Sequence, residues 1–273
     1  MIASTDSSSD ADLDVAMALA DAAREAALRH FRSDRLQIDN KLAAAGAFDP
    51  VTAADRDVET AIRDILTRER PDDGVLGEEH TDTASASGRT WVIDPIDGTR
   101  AFMCGLPTWG VLIALNDGTR PILGVMDQPF TGERYIGVLS GKIPTALCQQ
   151  AAGETPLTTR PCNTLSNAVL CSTAPDAFGS DADAARFATL SQQTKLTRFG
   201  TDCYAYAMLA RGHIDLVVES GLHAYDIQAM MPIVQAAGGV VTNWQGGDCA
   251  QGGQVIAAGD PRLHEQALAI LSP

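Results

Sequence analysis

Near the start of the chain, Leu13, Ala16, Met17, Ala20, Ala23 and Ala27 recur at helical spacing. They predict a helix from about Ala11 to Phe31, with Ser9 or Asp10 as its cap. Val58, Ile62, Ile65 and Leu66 form a second apolar face, which predicts a helix over Ala53–Arg70 that Pro71 stops. Between the two, Ser33 to Pro50 reads as a loop, although its Lys41–Phe48 piece is apolar for one. Short apolar runs then point to strands at Val75–Gly77, Trp91–Ile93, Trp109–Leu115, Pro121–Asp127 and Tyr135–Leu139. Asn116-Asp117-Gly118 supplies a hairpin turn.

Gly153 to Asn167 is polar, contains Thr and Pro, and marks the expected sub-domain boundary. Beyond it strand and helix alternate. Strands are expected at Ala168–Cys171, Leu196–Phe199, Ile214–Glu219, Val240–Asn243 and Val255–Ala258. Helices are expected at Asp181–Gln192, Cys203–Arg211, Asp226–Ala237 with a Gly238-Gly239 C-cap, and Pro261–Leu271. Strand runs followed by alternation predict an α/β (α+β) layered sandwich. Its parts are a disordered leader over 1–10, an antiparallel-rich sub-domain over 11–152, and an alternating α/β sub-domain over 153–273.

Composition narrows the function classes. A chain of 273 residues with 45% hydrophobic and 20% charged positions is ordinary for a globular protein with a sizeable core. The net charge of −15 argues against nucleic acid or an anionic membrane as partner. No apolar run approaches the roughly 18 residues a bilayer span needs. The Ser- and Asp-rich N-terminus lacks the basic start and apolar core of a signal peptide, so a cytoplasmic protein is expected. The six cysteines include no C-x-x-C pair and the five histidines no H-E-x-x-H, so zinc spacing is absent and reduced thiols are the plain reading. No G-x-S-x-G elbow, P-loop or dinucleotide fingerprint occurs.

The chemistry concentrates in Trp91–Gly110, WVIDPIDGTRAFMCGLPTWG. A strand end delivers Asp94 and Asp97, with Pro95 stiffening the turn so that both carboxylates converge. Carboxylates that close repel unless a cation lies between them, and Mg²⁺ prefers hard oxygen ligands. The amides of Gly98 and Thr99, where a helix begins, would face an anion such as phosphate. A capped strand-to-helix turn with solvated Asp residues is the bland alternative.

The string D-P-I-D-G-T resembles the signature of the inositol-monophosphatase-like family of Mg²⁺-dependent phosphatases. Three more blocks follow that family's order: DPVTAAD at Asp49–Asp55, GEE at Gly77–Glu79, and YDIQAMMPIVQAAGG at Tyr225–Gly239. The resemblance implies an α-β-α-β-α arrangement and a site that makes hydroxide from water and neutralises the leaving oxygen. Metal ions ~3.5–4 Å apart do both. It implies that Asp94 bridges metals and that the Ile96 carbonyl adds a ligand. Asp97 and Asp226 complete a second metal, while Glu78 holds the first and helps position water. Two or three Mg²⁺ ions are expected, with Mn²⁺ also suited to the donor set. Thr99 would sit beside the attacking water, held by Asp49, for which a turn carboxylate before Pro50 is the alternative. Glu79 is expected behind Glu78 or on the surface, and Asp55 as a brace of its helix. Homodimers are frequent in the family and are the default expectation.

Two departures stand out. Related phosphatases have a shorter, more polar stretch at Lys41–Phe48, which leaves open whether Lys41 approaches the site; and Tyr225 replaces the usual Trp. Arg100-Ala-Phe, G-L-P-T-W-G, G-T-D-C-Y-A-Y and Y-D-I-Q-A-M-M-P-I resemble the family's histidinol-phosphatases. Asp202 and Glu219 would then meet the ammonium and imidazole of L-histidinol phosphate. Asp202 as a helix N-cap is the plainer alternative. Also open are an inositol-1-phosphate or broad small-phosphate phosphatase, and an inactive binding relative. The intact acidic set argues against the last.

Overall fold

A computed structural model describes residues 7–33, 38–40, 50–141 and 143–272. Eight helices among them are α1 (Ser7–His30), α2 (Ala53–Glu69), α3 (Thr99–Met103), α4 (Asp181–Gln193), α5 (Asp202–Ala210), α6 (Ala224–Ile227), α7 (Met230–Ala236) and α8 (Pro261–Leu271). The first-half strands are β1 (Ile38–Asn40), β2 (Pro50–Thr52), β3 (Gly74–Gly77), β4 (Thr90–Asp97), β5 (Gly110–Asn116), β6 (Pro121–Gln128), β7 (Glu133–Val138), β8 (Thr145–Gln150) and β9 (Gly153–Pro156). The second half adds β10 (Val169–Ser172), β11 (Leu196–Phe199), β12 (Leu216–Leu222), β13 (Val240–Asn243) and β14 (Gly253–Ala258).

Period-two alternation builds the layers. On β5, Val111, Ile113 and Leu115 face α1 and α2, while Leu112 and Ala114 face the middle helices. β12 divides likewise, Val217 toward the middle layer and Leu216 and Val218 toward α4 and α8. Strands with two apolar faces need cover on both. The result is α1/α2, a seven-stranded sheet β3-β4-β5-β6-β7-β8-β9, then α5–α7, a five-stranded sheet β11-β10-β12-β14-β13, and α4/α8. This is the expected α-β-α-β-α sandwich. The middle layer is tight because glycines meet α7: a Cβ on Gly124 would strike the carbonyl of Ala229, and one on Gly137 the backbone of Ile233.

Several boundaries differ from the sequence expectation. α1 begins at Ser7, so the expected leader over 1–10 loses its last residues to the helix. The 153 boundary falls inside a hairpin, since β9 pairs with β8 (Gln150↔Gly153) and the crossing between sheets follows Pro156. β9 is an exposed edge strand, so it carries the polarity of a loop. The expected helix over Asp226–Ala237 is two, α6 and α7. Pro232 has no N–H to continue a helix from Gln228, and it is tolerated in the first turn of a new one. β1, inside the Ser33–Pro50 stretch expected to be loop, pairs antiparallel with β2, which begins at the end of that stretch. The Lys41–Phe48 piece and Asp49 lie outside the described residues.

Candidate active site

The D-P-I-D-G-T segment works through a bulge. Asp94 pairs with Leu112 and Asp97 with Gly110, so three steps on β4 match two on β5. In a regular strand residues three apart face opposite ways; the inserted residue returns Asp97 to the side of Asp94. Pro95 suits the bulge, having no N–H for the ladder. Asp94 Oδ1 accepts the Ile96 N–H (3.0 Å), and Asp97 Oδ2 accepts the Cys203 N–H at the start of α5 (2.6 Å). Gly98 then takes the left-handed conformation (φ 85°) ahead of α3. A Cβ there would lie 3.2 Å from Asp202 and from Trp109, so turn, α5 and β5 close on one another.

Asp226 arrives from the second sheet's side. It caps α6, its Oδ2 accepting the His223 N–H (2.6 Å). Oxygens of Asp94, Asp97 and Asp226 all lie within 4.8 Å of one another. Glu78 follows β3, whose parallel register sets Gly77 beside Ile93, which brings it near Asp94. It groups most closely with Asp55 and Glu79, again within 4.8 Å. Asp55 therefore does two things: its Oδ2 accepts the Thr52 N–H (2.8 Å) and hydroxyl (2.6 Å) in a capping box, and its carboxyl stands beside Glu78. Asp55 and Glu79, expected only as a brace and a more distant residue, are both part of this second acidic group.

Thr99 Oγ1 donates to the Ile96 carbonyl (3.1 Å), which has a second lone pair to offer. Burial, then the charges of Glu78, Asp97 and Asp226, push Asp94 well above the ordinary carboxylate range. Burial, Asp202 and Asp226 do the same to Asp97. All donors in the two groups are hard carboxylate oxygens that repel one another, the chemistry a divalent cation such as Mg²⁺ matches.

Beside these groups runs a cleft of about 410 Å³ lined by Asp97, Asp226, Asp202, Glu219, Thr173 and Phe178 among others. Asp202 is the first residue of α5 in a left-handed conformation (φ 41°), while the N-cap position belongs to Thr201. The plainer reading of Asp202 as N-cap is therefore corrected. Burial raises its pKa to about 6 against the opposing pull of Arg100. Glu219, 4% exposed, sits before a second one-residue bulge (Glu219↔Val255, Leu222↔Gly253). Its Oε1 accepts the Thr173 N–H (3.0 Å) and hydroxyl (3.1 Å), and burial raises its pKa to about 8. Sequence reasoning missed Thr173 and Phe178. The available signal was topological: β10, β11 and β12 are mutually parallel, and loops leaving the carboxyl ends of parallel strands gather at one crevice.

The two carboxylate groups on this layered fold form a site of the kind that holds divalent cations. A model of the Inositol monophosphatase family matches residues 9–272, and the chain belongs to that family, whose members act on small phosphate monoesters. It is 38% identical to the chloroplastic bifunctional phosphatase IMPL2 of Arabidopsis thaliana over 95% of this chain and 76% of that protein. It is 33% identical to a histidinol-phosphatase of Mycobacterium tuberculosis over 96% and 98%. Among solved structures, an inositol monophosphatase from Zymomonas mobilis matches with TM-score 0.84 and 38% identity, covering 98% of this chain and all (100%) of that one.

Proposed function

We propose that this protein is a Mg²⁺-dependent phosphomonoesterase whose substrate is L-histidinol phosphate. The observation that carries the substrate reading is the pair of acids, Asp202 and Glu219, lining the same cleft as Asp97 and Asp226. Asp94, Asp97, Asp226 and the Ile96 carbonyl would hold cations, with Glu78, supported by Asp55 and Glu79, completing a set for two or three ions; Mn²⁺ would fit as well. When bound, the cations supply Lewis-acid activation of water and neutralisation of the leaving oxygen.

The chain's own groups do the rest. The amides of Gly98 and Thr99 would bind the phosphate, and the Thr99 hydroxyl would orient the attacking water. Asp202 and Glu219 have their pKa raised by burial. An ammonium or imidazolium beside them would return both to the carboxylate form and gain charge-assisted hydrogen bonds worth roughly 1.5–3 kcal/mol each. Inositol 1-phosphate offers hydroxyls only, with no ion pair to gain. The Mycobacterium tuberculosis histidinol-phosphatase supports this reading, and the Zymomonas mobilis structure supports an inositol substrate.

A phosphate-release panel with Mg²⁺ separates the two. The expected kcat/KM for histidinol phosphate exceeds that for inositol 1-phosphate by at least ~10²-fold. Asp202→Asn with Glu219→Gln should erase most of that preference and keep metal-dependent hydrolysis of an aryl phosphate. A wild-type preference for inositol 1-phosphate, or a double variant that stays selective, would remove the histidinol reading.

A further inference from the structure

Glu59 is a carboxylate with 0% exposure that none of the chemistry above uses. On α2 it stands one turn after Asp55, on the face toward the Glu78–His80 segment. Its Oε2 accepts the Glu79 N–H (2.7 Å) and its Oε1 the His80 N–H (3.3 Å). Arg63, one further turn along, donates Nε to the same Oε1 (2.7 Å) and Nη2 to the His80 carbonyl (3.4 Å). The side-chain pair thus holds both the N–H and the C=O sides of the segment. Gly77 completes the interlock, because a Cβ there would overlap the Glu59 carboxylate itself.

We propose that Glu59 is a positioning residue that sets the cation affinity of the Asp55–Glu78–Glu79 group by clamping the main chain on which Glu78 and Glu79 ride. The geometry behind this is the i, i+4 spacing of Asp55 and Glu59. One helix face delivers a carboxylate into the acidic group and a second carboxylate to the backbone beneath it. Fixing that backbone holds mutually repelling carboxylates close before a cation arrives. Partners lying behind metal ligands commonly alter affinity by 10–100-fold when removed. The inference rests on the proposed cation-binding role of this group.

The test is Mn²⁺ and Mg²⁺ titration by calorimetry, with Mn²⁺ paramagnetic resonance as a second readout, on the full chain. Thermal unfolding in chelator confirms that each variant is folded. Glu59→Gln keeps the shape and loses the charge; Gly77→Ala displaces the carboxylate. Each is expected to weaken cation affinity about 10-fold or more, and to raise the Mg²⁺ needed for half-maximal activity in parallel. KM for substrate at saturating Mg²⁺ should stay unchanged. In a Glu59→Ala background, Gly77→Ala should add little, because its methyl group then meets no carboxylate. Wild-type affinity in the folded Glu59→Gln or Gly77→Ala protein, or full additivity of the pair, overturns the proposal. A wild-type protein that binds neither ion overturns the cation-site reading as well, which tells the two failures apart.

Discussion

Asp94 is 2% exposed and raised in pKa by burial and by four acidic neighbours, Glu78, Asp97, Asp226 and Asp55. A carboxyl whose folded pKa lies above its unfolded value stabilises the fold only while protonated. That contribution is present below the unfolded pKa and is lost as pH rises through the folded one. In chelator near pH 8, Asp94→Asn should therefore raise the melting temperature, and the gain should shrink as pH falls toward 4. Turnover should vanish, and added Mg²⁺ should stabilise the variant less than the wild type. Scanning calorimetry with and without chelator reads all of this; a lower melting temperature in chelator, or retained turnover, would count against the arrangement. Asp94, Asp97 and Asp226 were recognisable from residue type, motif and family resemblance, which also implied that they meet. Asp55, Glu59 and Thr173 were not, because Asp55 reads as a cap, Glu59–Arg63 as a surface i, i+4 pair, and Thr173 as a loop residue.

At the scale of elements, two one-residue bulges and two glycines do much of the construction. The bulges on β4 and β12 turn Asp97 and Glu219 to their places. Gly124 and Gly137 let α7 lie directly on β6 and β7. Gly124→Ala would press a methyl group into the Ala229 carbonyl, and neither backbone can yield without moving a whole layer. Destabilisation of about 3 kcal/mol or more is expected, at the upper end for overpacking. Denaturant unfolding measures it; a change below about 1 kcal/mol would mean that the layer adapts. Most elements were legible from periodicity. β8 and β9 were not: β9 is an exposed edge strand that resembles a loop, and β8 has only Ala146–Cys148 buried, too short an apolar run to stand out. The α6/α7 break carried a visible signal in Pro232, but a proline in a first turn and one that ends a helix look alike in sequence.

For the whole molecule, stability against pH sums a net charge of −15 with a few buried groups. His264 on α8 is one, its Nε2 2.8 Å from the Thr242 hydroxyl of β13. Burial lowers its pKa, and Glu265 opposes this only partly. The unfolded chain therefore takes up the proton first. The His264 contribution is full above the unfolded value of about 6.5 and is lost as pH falls from there to the lower folded pKa. Relief of acidic repulsion acts in the opposite direction over the same range, so a difference measurement is needed. The melting temperature of His264→Gln should rise relative to wild type between pH 7.5 and pH 5 (about one unit above to more than one below that value); a constant gap would acquit His264. By itself the sequence determined the layered class, most helices and strands, and the acidic motif, because these depend on periodicity and local residue chemistry. It also carried enough family signature to name the phosphatase family. Motif and resemblance also implied that Asp94, Asp97 and Asp226 meet and that Asp202 and Glu219 serve one substrate. Tertiary structure alone decided that Asp55 groups with Glu78 and Glu79, and that Thr173 and Phe178 line the cleft with Asp202 and Glu219. Those are distances between segments far apart in the chain, set by bulges, strand register and the glycine-lined middle layer, and local pattern does not encode them.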